Sequence, residues 1–398
     1  MTNSITRLGT ANMYDRTVGN LTERQAKLAH MMESTSAGKR VLRASDDPVA
    51  AAQAERARTR LVRTESDQRA LDAQVAIVAY GESTLRAANT ALQEFRDLLV
   101  NAGNGSYTQT ERDALLAQMV SLRDQIAGYA NRTDSNGLPL FRGLGSAEQP
   151  LQGSSFLSQS GQASNGENGI ANTLDGYAAF MNVRTGNGVL AVTQGANTGR
   201  VWTDIGQITN PAEATAVTDP IEIQFAVGAG GTTYSIDGGV TQQPYQDGQA
   251  IAVAGMQLTI TGTPADGDSF SIAPSERSNI FSVLDDAISV VRSAGNPDGS
   301  TASGALAHGL AKALAEVDTG MNRMQTVRSF AGDMLNRADT LSTHLGARSL
   351  QLETARSAAE DVDMIKALSE LETQRAGYSA ALQSYAQIQK MSLFDYIR

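Results

Sequence analysis

The chain has no cysteine, which excludes disulfides, thiolate nucleophiles and cysteine metal sites. Its three histidines, His30, His308 and His344, form no ligand pair of the H-E-x-x-H kind, so polar helix positions explain them better than catalysis or metal ligation. Aromatic residues are 5% of the chain and Trp202 is the lone tryptophan, which leaves little stacking surface for sugars. No stretch approaches the eighteen or so apolar residues that a membrane span needs. The first twenty residues, interrupted by Arg7, Asp15 and Arg16, do not read as a cleaved Sec-type signal peptide. A net charge of −10 argues against a general nucleic-acid partner. No glycine-rich loop joins a strand to a helix at phosphate-binding spacing, so no cofactor is expected.

What is present is unevenly distributed. Residues 150–275 carry ten acidic side chains against only Arg184 and Arg200, a balance of −8, while residues 1–43 hold seven basic side chains against three acids. With 398 residues there is room for two or three cores, and this charge shift marks off a middle domain.

Both ends carry helix-period apolar rows. Met364, Leu368, Leu371, Tyr378, Leu382 and Tyr385 alternate steps of four and three, interrupted at Arg375, in a proline-free stretch from Gln351 to Arg398. Ala355, Ala358, Val362 and Ile365 form a second row beside it, and the whole stretch reads as one helix. Tyr14, Val18, Leu21, Leu28 and Met32 follow the same frame on a helix from Thr10 to about Ser36. Isolated helices are marginal in water, so each end needs a partner.

Between the ends, Asp47-Pro48 reads as cap and first residue of a second helix reaching about Ala102, some 80 Å at 1.5 Å per residue. Asp46 and Asp47 as an acid–base pair is a poorer reading, because they directly precede Pro48. Leu71, Val75, Val78, Leu85, Ala88, Leu92, Phe95 and Leu99 give that helix a seam. Thr110 with Asp113 resembles a capping box for a third helix, striped by Leu115, Met119, Leu122, Ile126 and Tyr129. Residues 170–275 read as strands: Ile221, Ile223, Phe225 and Val227 alternate, as do Met256, Leu258 and Ile260, with shorter strands at Thr232–Ile236 and Ser269–Ile272. The Asp266-Gly-Asp268 turn has too few oxygens for calcium and reads as a hairpin. Helices resume at Ser278 and again near Thr301, where Gly304, Gly309, Gly320 and Gly332 are expected to weaken a long seam.

The resulting expectation is an α+β multidomain chain in three parts. Residues 1–44 with 350–398 form a terminal coiled coil, 45–145 with 277–349 a bundle of long helices, and 146–276 an inserted β domain. Three segments then carry a family resemblance. GKRVLRASDDPVAA (Gly38–Ala51), TDSNGLPLF (Thr133–Phe141) and the ending SLFDYIR (Ser392–Arg398) resemble the flagellin superfamily. Gln246–Ile251 and Gly262–Phe270 are similar to β segments of its hook-associated, junction-forming members. That resemblance covers both helical ends. It implies a structural axial protein of the bacterial flagellum, outside the cell, and no enzyme. Such a protein is exported unfolded by the flagellar type III apparatus with the help of an export chaperone, and assembles as a homo-oligomeric helical tier between the first hook-associated protein and flagellin. The eleven row residues of the two ends would form the assembly interface. Filament flagellin is the structural alternative, and a glycan-binding β domain the alternative of another class.

Overall fold

The computed structural model describes residues 4–104, 107–145, 149–153, 155–156, 161, 169–293 and 302–396, with the backbone alone at 4–14, 155–156, 302–303 and 388–396. Helix α1 (Ser4–Ala37) stops at Gly38, whose φ of +69° is a left-handed conformation that suits glycine. Helix α2 (Pro48–Ala102) begins at Pro48, where the Ala50 N–H donates to Asp47 Oδ1 at 3.0 Å. Arg40 Nη1 donates to the other carboxylate oxygen at 3.0 Å, and the two donors hold the Asp47 carboxyl below the usual aspartate range.

Helix α3 (Gln109–Ala130) is boxed by Thr108 and Glu111, not by Thr110 and Asp113 as the sequence suggested. Two threonine-x-x-acid pairs follow one another here. The longer glutamate reaches back to the Thr108 N–H at 2.7 Å, while Asp113 accepts from Gln109 Nε2 at 2.9 Å instead.

The middle of the chain is antiparallel, and two short helices interrupt what read as strands alone. A two-residue pair, β1 (Leu151–Gln152) with β2 (Ser155–Phe156), precedes α4 (Gly176–Phe180) and β3 (Met181–Arg184). Then come β4 (Leu190–Gln194), β5 (Arg200–Thr203), β6 (Gln207–Ile208) and α5 (Pro211–Ala216). These are followed by β7 (Ile221–Gly228), β8 (Gly231–Ser235), β9 (Gln243–Pro244), β10 (Ala250–Val253), β11 (Met256–Thr263), β12 (Ser269–Pro274) and β13 (Arg277–Asn279). One sheet runs β4-β12-β7-β8-β9, another β10-β11-β5 with β6 also on β11. Ile223, Phe225, Phe270 and Ile272 from the first meet Leu258, Ile260, Val201 and Met256 from the second in one apolar core. Val227 leaves the alternation and is exposed, since it lies at the end of β7 beside Gly228.

Acidic side chains staple the loops of this region. Asp268 accepts N–H bonds from Thr198 at 2.9 Å, Gly199 at 3.1 Å and Ala265 at 2.7 Å, and Asp266 accepts from Val227 at 3.0 Å. The Asp266-Gly-Asp268 turn is not the hairpin the sequence suggested, because β11 and β12 do not pair: it carries the chain from one sheet to the other, and its carboxylates accept from backbone donors that fix the crossing. No metal-type cluster of His, Asp and Glu occurs among the described residues.

Helix α6 (Ile280–Ser293) returns the chain to helical structure, followed by α7 (Ala302–Glu360) and α8 (Met364–Tyr396). The glycines inside α7 do not break it. A Cβ at Gly304 would lie 2.8 Å from the Val201 carbonyl oxygen, and one at Gly309 2.6 Å from Val290 Cγ1, so these positions are small because neighbours approach closely. The single helix read from Gln351 onward is instead two. The chain leaves the helix at Asp361, and Asp363 caps the restart by accepting from Ile365 and Lys366 N–H at 3.1 and 3.2 Å.

Two compact units result, Met1–Arg69 with Ser342–Arg398, and Ala70–Leu341. In the second, Leu71, Val78, Leu85, Leu92, Phe95 and Leu99 of α2 are buried with Met119 and Ile126 of α3, Leu284 and Ile288 of α6, and Val317 and Met324 of α7. The α2 and α3 residues among them belong to the stripes read from the sequence. No helix among the described residues is long and apolar enough to cross a membrane.

Candidate assembly surface

In the first unit, two interhelical linkers are stitched together. Lys39 and Asp361 form an antiparallel bridge, the Arg40 N–H donates to Glu360 O at 2.7 Å, and the Val362 N–H donates to Gly38 O at 3.0 Å. Arg40 Nη2 adds a bond to Ala359 O at 2.8 Å, and Lys39 pairs with the Glu360 carboxylate. Arg356 braces the same carboxylate at 3.1 Å and Glu353 at 2.8 Å. The Lys39 ammonium, and after it Arg356, hold Glu360 below the ordinary glutamate range. Joined at this point, α1 and α8 lie side by side and antiparallel.

Burial shows which faces meet. On α1, Thr17, Leu21, Leu28, Met31 and Thr35 are half-buried and Ser34 is buried. On α8, Ala367 and Leu371 are buried, and Gln374, Gly377, Tyr378, Ala381 and Tyr385 half-buried. The steps of four and three are those expected, but the inner frame sits one residue earlier along much of its length. Gly377 allows close approach, since a Cβ there would lie 3.0 Å from Arg24 Nη1.

The eleven row residues therefore separate. Leu371 is 7% exposed, and Leu21, Leu28, Tyr378 and Tyr385 are half-buried on the inner faces. Val18, Met32, Met364, Leu368 and Leu382 face outward, 40% to 50% exposed, and the neighbouring Ile365 is 85% exposed. The side chain of Tyr14 lies outside the described residues. Reading the sequence for one seam merged two rows. The small residues Ala367, Gly377 and Ala381, not scored as apolar anchors, were the available signal for the inner one. Trp202, on β5, is half-buried and offers no open aromatic platform.

A fold that returns both ends to one antiparallel helix pair, with a second apolar row left on its outside, defines a class of two-ended α+β subunits. The bacterial flagellin N-terminal helical region matches residues 9–146, and the bacterial flagellin C-terminal helical region matches residues 314–397. Flagellar hook-associated protein 3 of Salmonella typhimurium and that of Escherichia coli are each 25% identical over 400 residues, covering 98% of this chain and 99% of the relative. A Bacillus subtilis flagellin is 30% identical over 129 residues, 32% of this chain and 42% of the flagellin. Among solved structures, the Legionella pneumophila flagellar junction protein FlgL has a TM-score of 0.65 at 29% identity, covering 72% of this chain and 99% of that one. A flagellar hook associated protein-3 from the same organism has 0.67 at 27%, covering 80% and 99%. The chain belongs to the flagellin superfamily, whose N- and C-terminal helical regions it carries at its two ends.

Proposed function

We propose that the chain is a structural subunit of the bacterial flagellum that forms the junction between the hook, capped by the first hook-associated protein, and the flagellin filament. The observation that carries this reading is the length of the match. Hook-associated proteins align with 98% of the chain, β region included, whereas the Bacillus flagellin aligns with 32%. The outward row, Val18, Met32, Met364, Leu368 and Leu382, supplies what assembly needs. An apolar face that one chain leaves uncovered is covered by a neighbouring copy, and a head-to-tail contact repeated from copy to copy propagates as a helical tier. The eleven row residues and Ile365 are the proposed interface. The division of the chain into a terminal coiled coil, a helix bundle and a β insert belongs to the same reading. The subunit is non-enzymatic, passes unfolded through the flagellar export apparatus with a chaperone, and resides outside the cell.

Deleting the gene and complementing it tests this. The expected result is loss of motility, bare hooks carrying the first hook-associated protein, and unpolymerised flagellin in the medium. A motile deletion strain with attached filaments would refute the assignment, and dominance of this chain in sheared filament preparations would reassign it as a filament flagellin.

A further inference from the structure

The start of α7 holds three ionisable residues at steps of four, His308, Lys312 and Glu316, which places them on one helix face. His308 is 6% and Glu316 2% exposed, unusual burial for either side chain. The imidazole sits with Nδ1 3.0 Å from the Thr203 carbonyl oxygen at the end of β5 and Nε2 3.2 Å from the Val192 carbonyl oxygen in β4. Its ring packs against Phe270 of β12, centroids 6.0 Å apart. Two turns on, Glu316 Oε1 accepts the Gly186 N–H at 3.0 Å, in the turn between β3 and β4. The side of α7 that meets the sheets is therefore tied to main-chain groups through two buried titratable residues.

The donor count at His308 does not close. A neutral imidazole has one N–H and one lone pair, whereas two carbonyl oxygens call for two donors. The neutral ring holds one strand and turns a lone pair toward the other carbonyl, and only the imidazolium bonds both. We propose that His308 is an acid-released clasp between α7 and the β region: burying an imidazolium costs more than its second carbonyl bond returns, so the neutral ring holds and the protonated ring lets go, with Glu316 as a second buried group of opposite sign on the same face. The charged groups around them are few. Lys312 of α7 and Asp204, just after β5, act on His308, while Lys312 and Asp286 of α6 act on Glu316. β4 and β12 contain no titratable side chain.

The signs follow from burial. Desolvation holds the His308 ring below the ordinary histidine value in spite of the two carbonyls. Stability from the neutral ring is then complete above the ordinary histidine range and is lost as pH falls through the lowered value. Desolvation raises the Glu316 carboxyl, so its contribution is complete below the ordinary glutamate range and is lost as pH rises through the raised value. The two oppose each other on acidification, and the wild-type chain shows only their difference.

Trp202, the single tryptophan, is adjacent to Thr203 and reports on this contact. The test is urea unfolding of the full-length chain followed by its fluorescence at pH 7.5 and 5.5, for the wild type, Glu316→Gln, His308→Gln and the double variant. The Glu316→Gln midpoint is expected to drop on acidification, the His308→Gln midpoint to rise, and the double variant to show neither shift. Equal pH shifts in Glu316→Gln and the double variant would overturn the proposal. A second readout needs no destabilised protein. The His308 Hε1 resonance, identified as the one missing in His308→Gln, should titrate in the wild-type chain below the ordinary histidine value, and titration at or above that value would equally overturn it.

Discussion

Leu371 and Leu382 of α8 are the same residue type on opposite faces, one 7% and the other 43% exposed, and this contrast separates pairing within a chain from assembly between chains. Fully burying a leucine contributes about 1.5–3 kcal/mol, so covering the exposed part of Leu382 in a neighbour's contact is worth about 1 kcal/mol. An aspartate there forfeits that gain and adds the desolvation of an unpaired charge, for a combined penalty of about 3 kcal/mol per contact. That is roughly a hundredfold in association at every copy. In the free chain the same aspartate stays hydrated, and the expected loss is below about 1 kcal/mol. Leu371→Asp instead forces a carboxylate between α1 and α8 and costs several kcal/mol before any neighbour arrives. The assays are urea unfolding of the purified full-length chain by circular dichroism, and electron microscopy of filaments on cells carrying each variant. Leu382→Asp should unfold like the wild type yet leave hooks without filaments, whereas Leu371→Asp should lose the early, arm-specific part of the transition. Glu23→Ala is the control, because Glu23 and Lys27 are both more than 60% exposed and their 2.8 Å pair is worth little. Normal filaments on Leu382→Asp cells would refute the reasoning, and so would an unfolding curve for Leu382→Asp that matches Leu371→Asp.

The linker stitch is expected to be acid-sensitive. The Glu360 carboxyl is held below the ordinary glutamate range, so its contribution is present above that range and is lost as pH falls through the lowered value. Proteolysis at residues 38–47 should accelerate in acid for the wild type, while Glu360→Gln is cut at the faster rate at every pH. Gly304→Leu places a side chain against the Val201 carbonyl and should lower the Trp202-reported unfolding free energy by about 1–3 kcal/mol, whereas a leucine at Gly332, with open space around it, should leave that free energy nearly unchanged.

The helical scaffold was legible because its signals are local and repeated. The stripe from Leu71 to Leu99 and the Asp47-Pro48 start depend on residues within a turn or two of one another. The β alternation at Ile221, Ile223 and Phe225 was equally plain, and it failed at Val227 only because the core ends there. The split of the terminal rows was not legible. Leu368 and Leu371 are both leucines in a four-three frame, and which one meets α1 depends on the small residues Ala367, Gly377 and Ala381, which let the helices approach. The break before Met364 was missed because no proline or glycine marks it, although Asp363 stands as a cap before an apolar restart. His308 gave no hint of burial, since its partners are carbonyls of strands more than a hundred residues away.

The bond between Lys39 and Glu360 joins residues 321 positions apart, which orders events in time. Closing so long a loop in an unfolded chain is slow, because its entropic cost must be met before any contact repays it. Once Ala70–Leu341 has folded, the open stretch shrinks to the two short segments flanking the Gln68–Ser342 hydrogen bond, and the arms need search only locally. The terminal pair is thus expected to form after the interior. A variant that slows the interior would delay the ends by the same interval, and the subunit would miss its place in a growing structure without a single interface residue having changed.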